Sequence, residues 1–125
     1  MEWNEAKDVK RDLKIVLKTI DLPYINISKI HCYRTTGSKT KAYARTWAFP
    51  KIFQRALDIE PAYVIEVLSS HYDKLNDDGK IKVLIHELLH IPKNFSGALL
   101  PHKTRSRNLH SVASKLFKEY KSKTK

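Results

Sequence analysis

Residues 81–91 read Ile-Lys-Val-Leu-Ile-His-Glu-Leu-Leu-His-Ile, and this run constrains the fold more than any other. Apolar side chains occupy nearly every helical position, so a helix built from it must be enclosed by the rest of the chain. With 125 residues, the chain can bury one core but not two. A single domain, 1–125, with this helix at its centre is therefore expected. Asn76-Asp77-Asp78 supplies a cap and first-turn acids ahead of the run, and Pro92 stops it. One polar arc interrupts the apolar surface: His86, Glu87 and His90. Positions i and i+4 lie about 40° apart around a helix, so the two imidazoles project side by side. Glu87 stands about 100° from His86, at the border of the same face. Buried polar groups are costly unless they are paired or bound to metal. The His-Glu-x-x-His spacing lets two histidines share an ion while the carboxylate reaches a water on it. One Zn2+ per chain is the expected cofactor, with its water brought to a pKa of about 7 and Glu87 as general base.

Such a site needs a third protein ligand. Downstream of His90 there is no Asp and no Cys, which leaves His102, His110 and Glu119. The longer metzincin pattern fails, because Lys93 and Ser96 stand at its glycine and histidine positions and no Met follows. A last helix over 103–121 would put His102 in line with Ser106, Leu109, Ala113 and Tyr120, the face turned to the core. The Gly97 to Pro101 approach reads as flexible, free to swing His102 toward the preceding helix. About 12 Å of helix separates His102 from His110, so the two cannot share one ion. His102 is the preferred ligand, with His110 and Glu119 as alternatives.

The rest of the chain predicts an α+β fold with a small three-stranded sheet packed by an N-terminal helix, the central helix and a C-terminal helix. Apolar periodicity marks the first helix over 3–20. β-branched and aromatic residues over 25–35 and 42–49 read as a hairpin closed by the polar loop 36–41. A short helix follows Pro50, and 62–69 is the most apolar strand. Trp3 and Trp47 read as packing anchors, and Cys32 as a small core residue. Tyr72, His71, His110, Arg105 and Tyr120 are candidate donors to a tetrahedral oxyanion. A short basic tail is expected over about 121–125.

Charge and composition narrow the partners. The net charge is +11, and Lys outnumbers Arg 18 to 6. This excess predicts non-specific attraction to nucleic acid rather than base reading, for which guanidinium is the better group. A single cysteine excludes an internal disulfide and Cys-rich zinc ribbons. The acidic opening Met-Glu-Trp-Asn-Glu carries no signal-peptide pattern and no apolar run is long enough to span a bilayer, so a cytoplasmic location is expected.

The stretch from Ala62 to Tyr120 resembles the family of small metallopeptidases found in phages and archaea. The resemblance rests on Tyr63-Val64-Ile65-Glu66-Val67-Leu68, on His-Glu-Leu-Leu-His-Ile-Pro at 86–92, and on Phe95-x-Gly97-x-Leu99-x-Pro101-His102. It extends more weakly over Ala44-Arg45 and Pro50-Lys51-Ile52, and covers about two thirds of the chain. It implies a zincin fold, a peptide or protein substrate, and His102 as third ligand. The size is also similar to minimal gluzincin scaffolds, which would imply Glu119 instead. SprT-like proteases are a looser likeness, since they usually carry glycine where this chain has Lys103. The alternative function is a latent or inactive zincin-like module whose basic surface binds nucleic acid or a protein partner.

Overall fold

The computed structural model describes residues 1–103 and 107–124. The chain opens with strand β1 (Glu2–Glu5) and turns at Ala6 into helix α1 (Lys7–Thr19). Strand β2 (Ile30–Thr36), strand β3 (Ala44–Trp47), helix α2 (Lys51–Leu57) and strand β4 (Tyr63–Leu68) follow. Helices α3 (Ser69–Tyr72), α4 (Asp77–Leu88) and α5 (Leu109–Lys123) complete the mixed α+β order.

Four strands form the sheet, in the order β1-β2-β4-β3, where three were expected. The additional strand is β1. Residues 2–5 pair antiparallel with β2, Trp3 opposite Thr35 and Glu5 opposite Tyr33, so the first helix starts at Lys7 rather than at residue 3. The Ala6 N–H donates to the Cys32 carbonyl at 2.9 Å, which spends on the sheet a donor that could have extended the helix turn.

The expected hairpin is also overturned. β2 and β3 are not neighbours, because β4 lies between them, parallel to β2 and antiparallel to β3. Five of the six β4 residues are buried, and a strand apolar on both faces gains most from a central position. The strands are shorter than predicted: residues 27–29 form a 3-10 turn ahead of β2, and β3 covers four residues.

One sheet face carries the core. Val9, Leu13 and Val16 of α1 are fully buried on it with Ile30, Ile65 and Val67, each worth about 1.5–3 kcal/mol relative to exposure. Leu84, Ile85 and Leu88 of α4 join the same cluster, and Cys32 is the small core residue expected. No helix of the core covers the opposite face at its tryptophans: Trp3 is 66% exposed and Trp47 51%, so neither is a packing anchor. Register explains both. Trp3 shares a side of the sheet with Thr35, and Trp47 with Val64, away from the helices.

The central helix ends earlier than its apolar pattern suggests. Leu89 caps α4, and His90 sits in the turn after it, with its N–H on the Glu87 carbonyl at 3.1 Å. The final helix begins at Leu109, capped by Asn108, whose side chain accepts from the Ser111 N–H. His102 therefore precedes that helix rather than riding on it; Arg105 and Ser106, invoked above, lie outside the described residues. Lys121 and Lys123, expected in a tail, belong to the last turn of α5, while Lys125 lies outside the described residues. No helix among the described residues is long and apolar enough to cross a membrane.

Candidate metal centre

Two elements bring the three histidines together. His86 lies on the last turn of α4, His90 one turn on, and His102 arrives from the loop that leads to α5. One nitrogen from each lies within 4.8 Å of the other two, and the ring centroids are 4.6–5.2 Å apart. Among the described residues this is the one cluster with three such donors. Glu119 is not part of it; that carboxylate pairs with Lys123 at 3.5 Å on α5. His110 is exposed, outside the cluster, yet close enough for its charge to disfavour protonation of His86.

The loop carrying His102 is pinned, not flexible. The Tyr63 hydroxyl accepts from the Gly97 N–H and donates to the Ala98 carbonyl, both at 2.8 Å. Gln54 of α2 donates to the Phe49 and Ser96 carbonyls at 2.7 and 2.9 Å. Gly97 has φ +94°, and a Cβ there would collide with the Phe49 carbonyl oxygen and the Gln54 amide. That position therefore admits glycine for conformation and for space. The loop also clasps the His90 turn: Leu100 N–H donates to the His90 carbonyl at 2.7 Å, and its own carbonyl sits 2.7 Å from His90 Nδ1. A carbonyl can only accept, so Nδ1 bears the proton and the Nε2 lone pair is left for a ligand.

Burial holds His86 neutral. Desolvation, with the nearby His90, His102 and His110, pulls its pKa down to about 4, so at neutral pH it offers a lone pair. Glu87 is 6% exposed, and burial raises its pKa above the ordinary glutamate range. A hydrogen bond from Thr46 offsets part of that rise: its hydroxyl lies 2.9 Å from Glu87 Oε1 and 3.1 Å from the Glu87 carbonyl. Thr46 escapes sequence reasoning. Only strand parity, which turns position 46 to the same side as Ile65, would have pointed to it.

His90, His102 and Glu87 border a cleft of about 730 Å³ whose far wall is β3. Thr46, Trp47, Phe53 and Leu99 line it, so the polar centre is set in apolar surroundings. Of the proposed oxyanion donors, Tyr72 is buried in the core at 1% exposure and His71 packs edge-on against Tyr43. Tyr120 packs with Phe117, and none of these three borders the cleft; Arg105 lies outside the described residues.

A histidine on the last turn of α4, a second in the turn after it and a third from a pinned loop form a donor group that could hold one metal ion, with a buried carboxylate beside it. The chain matches the family model described as "Putative phage metallopeptidase" over residues 1–119, and it belongs to that family. No curated protein and no solved structure matches it.

Proposed function

We propose that the protein is a zinc-dependent endopeptidase in which His86, His90 and His102 hold the ion and Glu87 is the general base. The observation that carries this reading is the approach of three imidazole donors to within 4.8 Å of one another beside a buried carboxylate, at the edge of an open cleft. The donor set fits the ion. Three imidazole nitrogens suit zinc and leave a fourth tetrahedral position free, while soft thiolates and a carboxylate-rich shell are absent from the cluster. Bound zinc would supply a Lewis acid that polarises the scissile carbonyl and acidifies water.

The chain's own residues supply the rest. β3 bonds to β4 on one side only, so its other edge presents free backbone groups along the cleft. An extended peptide can add to that edge as a further strand, with its scissile bond near Glu87. Glu87 takes a proton from the attacking water as the new C–O bond forms, then delivers it to the amide nitrogen as the C–N bond breaks. A raised pKa suits both halves of that cycle, because the group must accept and release a proton near neutrality. Thr46 holds the carboxylate in place throughout.

Glu87→Gln keeps the shape and removes the base. Zinc content should be unchanged and cleavage of a quenched peptide should fall by about a hundredfold or more. Equal turnover by the two proteins would end this assignment.

A further inference from the structure

Between α1 and β2 lies a second concavity, a groove of about 470 Å³ that takes no part in the metal centre. Lys7, Lys10, Arg11, Lys14 and Lys18 line one wall. His31 and Tyr33 of β2 line the other, and Glu5 is the one carboxylate among the lining residues. Lys10 is committed to the fold, donating to the carbonyls of Ile27 (2.7 Å) and Ile30. The remaining four recur at intervals of four, three and four, so they form one stripe about 16 Å long. All four are exposed, and among the described residues Lys7, Lys14 and Lys18 have no ion-pair partner.

The groove continues onto the open face of the sheet. Tyr33 is 38% exposed there, and Trp3, two residues along the neighbouring strand from Tyr33's partner Glu5 and on the same side, is 66% exposed. A row of unneutralised cations beside bare aromatic rings matches the two needs of single-stranded nucleic acid, phosphate neutralisation and base stacking. From this juxtaposition we infer that the α1 groove and the adjoining sheet face bind single-stranded nucleic acid. The stripe is long enough to follow about five stacked nucleotides. A duplex would offer its phosphates but no free base faces to Tyr33 and Trp3. A membrane is disfavoured by shape and by exposure. The cations line a concavity, and the apolar face of α1, with Val9, Leu13 and Val16, is already consumed in the core.

The test is fluorescence anisotropy of a labelled oligothymidine of about twenty nucleotides with the full chain, titrated across a range of salt. For Lys7→Ala/Lys14→Ala/Lys18→Ala, the slope of log K against log[salt] should fall by about two, since each phosphate contact to a single strand contributes about 0.7. Tyr33→Ala should weaken binding about tenfold, and Tyr33→Phe should restore it, because stacking needs the ring and not the hydroxyl. Circular dichroism would confirm that each variant is folded. The inference fails if the triple variant binds like the wild type, or if removing Lys115, Lys118, Lys121 and Lys123 from α5 abolishes binding instead. It also fails if a duplex of the same length binds more tightly, or if phosphatidylserine vesicles bind with the same dependence on the α1 lysines.

Discussion

Thr46→Val removes one hydroxyl and little else. The two side chains are nearly isosteric and valine is at home in a strand, so β3 should keep its pairing with β4. What disappears is the hydrogen bond of 2.9 Å to Glu87 Oε1, on a carboxylate that is 6% exposed. A hydrogen bond to a charged group contributes about 1.5–3 kcal/mol, and one pKa unit corresponds to about 1.4 kcal/mol. Because the bond favours the ionised form, its loss should raise the Glu87 pKa further. A general base with a raised pKa is protonated over more of the acid range. The acid limb of kcat/KM for a quenched peptide should therefore move to higher pH. On that limb the rate should drop about ten- to a hundredfold, while the plateau at higher pH changes little. Thr46→Ser keeps the hydroxyl and should hold the limb near its wild-type position. An active valine variant with an unmoved limb would refute the argument, as would a uniform loss at every pH.

Gly97→Ala forces a Cβ into the Phe49 carbonyl and the Gln54 amide at a φ of +94°. We expect a loss of about 2–3 kcal/mol in denaturant unfolding, together with weaker zinc binding as the His102 loop shifts. Glu66 is 4% exposed; burial disfavours its charge, but hydrogen bonds from Thr35, Trp47 (2.8 Å) and Arg45 (3.1 Å) win and lower its pKa. A carboxyl whose folded pKa is depressed stabilises the fold above its unfolded pKa and loses that contribution as pH falls through the folded value. Wild-type Tm should therefore fall more steeply below about pH 4.5 than that of Glu66→Gln. At pH 7 the variant should already be about 2–3 kcal/mol less stable.

How far the sequence could be read follows from where each interaction lies along the chain. The α4 helix and strand β4 are legible because their signals are local: the cap at Asn76, the stop at Pro92 and the β-branched and aromatic run at 63–67, broken only by Glu66. His86, Glu87 and His90 stand out as the polar arc of an apolar helix for the same reason. β1 is hidden because its partner is some thirty residues away, and the alternating Trp3 and Glu5 carry no local signature against a helix. The hairpin fails in the same way: residues 36–41 satisfy the chemistry of a turn, but the insertion of β4 is decided by burial, not by the loop. Elimination of other residue types points to His102, but through a helix face that it does not occupy. What brings it to the histidine pair is a loop held by Tyr63 and Gln54, contacts that span 34 and 42 residues.

The central claim is that three histidines, and no carboxylate, hold the metal. Zinc titration of the metal-free wild type and of His102→Ala, His110→Ala and Glu119→Ala tests it most directly, with far-UV circular dichroism and thermal melts run on each protein. The wild type should bind one equivalent. His102→Ala should lose affinity by at least about a hundredfold while remaining folded, since two imidazoles leave the ion short of protein ligands. His110→Ala and Glu119→Ala should bind nearly as the wild type does. Affinity that survives in His102→Ala but collapses in a folded Glu119→Ala would contradict the account and assign the third ligand to the glutamate of α5.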